Sequence, residues 1–132
     1  MARDHSEADV PEDRPLSDAE RLLVRWMLEH GEPHAAAFLP QLEQASVSSR
    51  CRCGCASINF SVRGRESPPL GMDILSDHLW EDAEGHHFGG FVFAHSGVLA
   101  GLDLYSLDGA VTPTWLPAAG QLHPMALSHN EV

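Results

Sequence analysis

This sequence of 132 residues has no lysine, and none of its eight basic residues, all arginine, lies beyond Arg65. Nine carboxylates follow that point with no cation among them: Glu66, Asp73, Asp77, Glu81, Asp82, Glu84, Asp103, Asp108 and Glu131. A half-chain of one negative sign repels nucleic acid and anionic lipid and attracts a basic protein, a cationic ligand or a metal. Long apolar runs are also missing, which excludes a membrane-spanning helix. The N-terminal stretch MARDHSEADVPEDR alternates charges without an apolar core and does not read as a secretory signal. Cysteine is scarce and odd in number, three in all, the usage of a reducing cytosol and not of a disulfide scaffold. The sequence contains no Ser-His-Asp order, phosphate-cradling glycine loop or H-x-x-x-H helix.

What is present is material for one core. A chain of this length buries roughly two-thirds of its extended surface on folding, and 43% of the residues are hydrophobic. The stretch FGGFVFAHSGVLAGLDLYSL, 88–107, reads as an antiparallel hairpin with a tight turn at His95-Ser96-Gly97. Leu99 and Leu102 break strict alternation, so a bulge near Gly101 is expected to restore the register. Further strands are expected at 56–62, where Ala56, Ile58, Phe60 and Val62 alternate with polar residues, and at 72–80. Residues 63–71 read as a loop, and 112–117 as extended chain whose Trp115 and Leu116 pack back on the core.

Ahead of the sheet, Ser17-Asp18-Ala19-Glu20 is a capping box opening a helix. Its expected buried stripe is Leu22, Leu23, Trp26 and Met27, with Gly31 as the terminator. A second short helix follows from His34, with a break or kink at Pro40. The expected fold is α+β: an N-terminal helical hairpin packed on one face of a mostly antiparallel sheet of about four strands, a meander of 56–62, 72–80, 88–95 and 98–107. Residues 1–14 are expected as a disordered acidic tail, 15–119 as a single domain, and 120–132 as a loose C-terminal tail.

The most unusual motif is Arg50-Cys51-Arg52-Cys53-Gly54-Cys55. Thiolates at this spacing can ligate a soft or borderline metal such as zinc, with Cys51, Cys53 and Cys55 as the metal ligands. Structural zinc prefers four ligands, however, and residues two apart in a regular strand lie about 7 Å apart. Packing as small semi-buried residues is the competing reading and the one placed ahead of metal. A cysteine nucleophile lowered by Arg50 and Arg52 ranks below both. Strict alternation from Ile58 backwards would bury Arg50 and Arg52, so a one-residue shift through a bulge or tight turn is expected at Gly54. That shift is expected to turn Cys51 and Cys53 inward and leave Cys55 reactive. His86 and His87, beside Asp82 and Glu84, offer a second cluster, for which exposed turn residues are the plainer reading.

On the Ser17-led helix, FLPQLEQA (38–45), RCRCGCASI (50–58), GGFVFAHSGVLAGLDLYSLDG (89–109) and the Leu116-Pro117 pair, the chain resembles a group of small bacterial proteins with an R-C-x-C-G-C motif before an antiparallel β-meander. The resemblance implies a fold and no functional residues. The expected function is a non-enzymatic cytoplasmic interaction module whose acidic sheet face meets a basic protein, an immunity-type inhibitor of a basic toxin being one form. The alternative is a metal-binding protein using Cys51, Cys53 and Cys55.

Overall fold

The computed structural model describes residues 9–63, 65–66 and 71–124. It shows an α+β protein: an antiparallel sheet with one helical layer on one face. In chain order the elements are β1 (Asp9–Pro15), α1 (Asp18–Glu29), a 3-10 turn (Ala35–Phe38), α2 (Leu39–Leu42), β2 (Ala45–Cys51), β3 (Ile58–Val62), β4 (Arg65–Glu66), β5 (Met72–Glu81), β6 (His87–His95), β7 (Val98–Ser106), a second 3-10 turn (Ala119–Gln121) and β8 (His123–Pro124). The sheet order is β1-β2-β3-β7-β6-β5-β8, with β4 beside β3.

The central hairpin forms as its residues dictate. Ser96 and Gly97 are the two loop residues between paired His95 and Val98, with φ of 51° and 81°. Positive φ at both positions is what a two-residue turn matching the strand twist requires. The register shifts where Phe93 pairs with Gly101 but Ala94 pairs with Leu99, leaving Ala100 as the extra residue. The bulge expected near Gly101 is there.

The topology corrects the expected meander. β5, β6 and β7 do meander, but β3 joins the far side of β7, with Ile58 opposite Leu102, and makes no ladder with β5. Nor are there about four strands: β1, β2, β4 and β8 extend the sheet to eight. Residues 9–14, expected as part of a disordered tail, form most of β1, while 1–8 lie outside the described residues. Pro11 and Pro15 are tolerated because β1 is the sheet's edge. Similarly, 65–66 pair with β3 where loop was expected. His123–Pro124 pair with β5 at the start of the expected loose tail, whose residues 125–132 lie outside the described ones.

α1 begins as its capping box predicts. Ser17 Oγ accepts the Glu20 N–H at 3.1 Å, and Glu20 Oε1 accepts the Ser17 N–H at 2.8 Å, a pairing worth about 1 kcal/mol. Arg14, on β1, closes a bidentate fork on the same carboxylate, 3.0 Å to each oxygen. The buried stripe is Glu20, Leu23, Val24, Met27 and Leu28, the i, i+3, i+4, i+7, i+8 face of a 3.6-residue helix. Leu22, expected inside, is 67% exposed, one step around the helix from that face. The helical hairpin reduces to α1 plus a 3-10 turn and a single α turn. Pro40 is the second residue of that α turn and does not break it, since the N–H it lacks is one of those a helix start leaves without an intrahelical partner. Together these elements cover Leu75, Trp80, Phe88, Val92, Leu102 and Leu104 of the sheet. Trp115 and Leu116 also pack back as expected, Trp115 edge-on to Phe88 at 5.4 Å between centroids.

Candidate functional site

The sheet face away from α1 carries chemistry that the register assembles. Cross-strand partners point the same way, so pairing of Asp77 with Phe91 and of Phe91 with Asp103 makes one row: acid, aromatic, acid. The next row holds Leu79, Gly89 and Tyr105. A Cβ on Gly89 would lie 2.4 Å from the Tyr105 ring, and one on Gly101 would lie 2.9 Å from Phe93. Two glycines thus let two aromatic rings lie flat across neighbouring strands. Phe91 stands 6.1 Å from Tyr105 and 5.6 Å from Phe93 between centroids, and Phe93 meets His95 at 5.4 Å.

The two acids of this row differ. Asp103 accepts a hydrogen bond from Ser57 Oγ at 3.0 Å. Asp77 Oδ1 is buried and has no hydrogen-bond partner among the described residues. Burial pushes the Asp77 carboxyl above its ordinary range. Tyr105 is pushed up to about 12, by burial first and then by the negative charges of Asp77 and Asp103. The phenol therefore stays protonated at any physiological pH and sits in the field of both carboxylates.

The cysteine motif occupies a different part of the fold, the turn joining β2 to β3. β2 was not foreseen as a strand. It ends at Cys51, and the chain reverses through 52–56 so that Arg50 pairs with Ile58. Gly54 has φ of 92°, the left-handed conformation a tight turn demands of glycine. Arg50 points outward and bonds Glu12 of β1 at 2.7 Å, as the charge argument required. Cys51 is buried, but Cys53 is exposed and Cys55 buried, which corrects the expected inward Cys53 and reactive Cys55. The reason is that the turn expected at Gly54 reverses the chain completely and does not merely shift the register by one residue, so alternation stops at Cys51. Rapid alkylation of native protein should accordingly label Cys53 alone, with Cys51 and Cys55 reacting on unfolding. Mass spectrometry of the peptides checks it, and fast modification of Cys55 would contradict the turn.

The turn brings one sulfur from each cysteine to within 4.8 Å of the other two. The Cys51 thiol donates to Cys53 Sγ at 2.7 Å, the Cys53 N–H to Cys51 Sγ at 3.3 Å, and the Cys55 N–H to Cys53 Sγ at 3.4 Å. Cys55 Sγ donates to Ser57 Oγ at 3.2 Å, and Ser57 in turn accepts the Leu104 N–H at 2.8 Å. A cleft of about 630 Å³ opens beside it, lined in part by Cys53, Cys55, Tyr105, Asp108 and Pro113. The second cluster also converges: ligand atoms of Asp82, Glu84 and His86 lie within 4.8 Å of one another. There Asp82 Oδ1 already accepts the N–H groups of Glu84 and His86, the bonding of a turn-former. His87 faces Glu81 at 3.9 Å instead.

No helix among the described residues is long and apolar enough to cross a membrane. Comparison with protein families, with curated proteins and with solved structures returns no match for the chain.

Proposed function

We propose that this protein is an interaction module whose outer sheet face receives a basic protein, taking up an arginine or lysine side chain between Asp77, Phe91, Asp103 and Tyr105. The observation that carries the reading is Asp77 Oδ1, buried and without a hydrogen-bond partner among the described residues. A carboxylate in that condition costs stability, and an incoming cation would recover it by a charge-assisted hydrogen bond. Phe91, from the same row, and Tyr105, from the next, would add cation–π attraction. The absence of any Lys or Arg after Arg65 supports the same polarity of partner. An immunity-type inhibitor of a basic toxin in a bacterial cytoplasm is the finer form of this reading, and the likeness to the R-C-x-C-G-C group belongs with it.

Titration with a nona-arginine peptide, followed by backbone amide NMR, tests the reading. Shifts should concentrate at residues 77, 91, 103 and 105 and weaken steeply between low and physiological salt. Shifts spread evenly over exposed carboxylates would contradict it.

A further inference from the structure

We infer that the β2–β3 turn is a three-thiolate site for a soft monovalent d10 cation, with Cu(I) as its type, formed by Cys51, Cys53 and Cys55. Convergence of three sulfurs within 4.8 Å is the first ground. A regular strand could not achieve it, because alternate residues would sit about 7 Å apart along one face. The reversal at Gly54 folds the motif back on itself and removes that objection.

The second ground is the backbone. The Cys53 and Cys55 amides are aimed at the preceding sulfurs, Cys51 Sγ and Cys53 Sγ. N–H donors on sulfur favour the thiolate over the thiol, which is the form a metal binds. Cys55 gives its thiol proton to Ser57 Oγ, which the Leu104 N–H fixes in place, so once that proton leaves the Ser57 hydroxyl stands beside the third sulfur as an outer partner. Occupation releases three protons, one from each thiol, and leaves three thiolates around one positive charge. Arg52, next to both Cys51 and Cys53 in the chain, carries a positive charge against the resulting minus two, while Arg50 is already paired with Glu12.

Ligand number decides the metal. Structural zinc takes four protein ligands, whereas the convergent set here is three sulfurs. Soft thiolates with no fourth ligand converging on them among the described residues favour Cu(I). Two sulfurs bound to one ion at about 2.3 Å each stand well beyond 2.7 Å from one another, so Cys53 must swing away from Cys51 on binding. Cys53 is exposed on the turn and faces the cleft, and has the room to do so.

The test is anaerobic titration of the full, reduced chain with Cu(I) against a chromophoric Cu(I) chelator. One ion per chain should be retained, with a thiolate-to-copper absorption in the near ultraviolet. Cys53→Ser should weaken retention by more than about 100-fold, beyond the loss typical of an outer-shell partner. Its denaturant midpoint should be unchanged, because the side chain is exposed. Undiminished binding by Cys53→Ser would overturn the site. So would displacement of Cu(I) by equimolar Zn(II). Cys55→Ser gives an independent loss of the ion, and if its binding equalled that of the parent chain the three-sulfur assignment would fall.

Discussion

Gly31→Ala should destabilise the protein by about 3 kcal/mol, a large cost for one methyl group. The added Cβ would sit 2.2 Å from the Leu75 carbonyl oxygen, 2.7 Å from Ser76 Cβ and 3.0 Å from the Met27 carbonyl oxygen. Two of those three atoms are backbone, so no rotamer change relieves the clash. The end of α1 would have to lift from β5, straining the Glu32 N–H to Leu75 bond of 2.8 Å and loosening fully buried Leu75. Gly31 was expected to end the helix and does follow its C-cap, His30, but it is not among the glycines of positive φ. Its role is close approach. Gly54→Ala makes the contrast, because at φ of 92° nothing lies within 4 Å of its Cβ. That substitution should cost about 1–2 kcal/mol, from backbone strain alone. Denaturant midpoints of the two variants check the ranking, and equal losses would contradict the steric account of Gly31.

Arg14→Ala should cost about 2–3 kcal/mol, more than loss of the Ser17 cap. Arg14 places two nitrogens on the Glu20 carboxylate and a third on Glu12 at 2.8 Å, tying β1 to the start of α1. Burial by itself would raise the Glu20 carboxyl. The Arg14 fork, followed by the Ser17 N–H, outweighs burial and holds the group below its ordinary value of 4.5. A lowered folded pKa means the stabilisation is present above the unfolded value and is lost as pH falls through the folded one. Without Arg14, burial dominates and the carboxyl moves upward. The acid limb of the stability profile should then begin at higher pH in Arg14→Ala than in the parent chain. Coincident acid limbs would mean that the fork contributes nothing to Glu20.

Local chemistry explains which parts of this fold can be read from the residues alone. The Ser17 cap, the Ser96-Gly97 turn and the bulge beside Gly101 each depend on neighbours within a few positions, and each was legible. β1 was not, because DVPEDRP has the composition of a tail. Its strand state depends on β2 offering an edge and on Glu12 bridging Arg14 and Arg50 across the pair. Pairing of Ile58 with Leu102 joins strands that have β4, β5 and β6 between them in the chain and leaves no mark in either strand's alternation. The helix stripe was misplaced by one residue because Leu22 and Leu23 are equally apolar, and only the partner surface distinguishes them.

The candidate sites divide the same way. The cysteine spacing announced a cluster, and the conflict over Arg50 and Arg52 located the change of direction at Gly54. The extent of that change, a complete reversal, came from β2, which the serine-rich stretch Ser46-Val47-Ser48-Ser49 concealed. The acid–aromatic row had a visible component in the alternation of Leu102-Asp103-Leu104-Tyr105. Its assembly needed the register that sets Asp77 and Asp103 on either side of Phe91.

Asp77→Asn, measured for stability and for nona-arginine binding in the same preparation, tests the docking face most directly. Asparagine keeps the shape and removes the charge that burial penalises. Because the folded pKa of Asp77 is raised, the ionised carboxylate opposes folding above that pKa, and its removal should relieve the protein at neutral pH. The account predicts a higher denaturant midpoint together with at least about a tenfold loss of affinity, as expected for losing one charge-assisted contact. A lower midpoint with peptide binding intact would show that Asp77 supports the fold and not a partner, and the proposed face would be wrong.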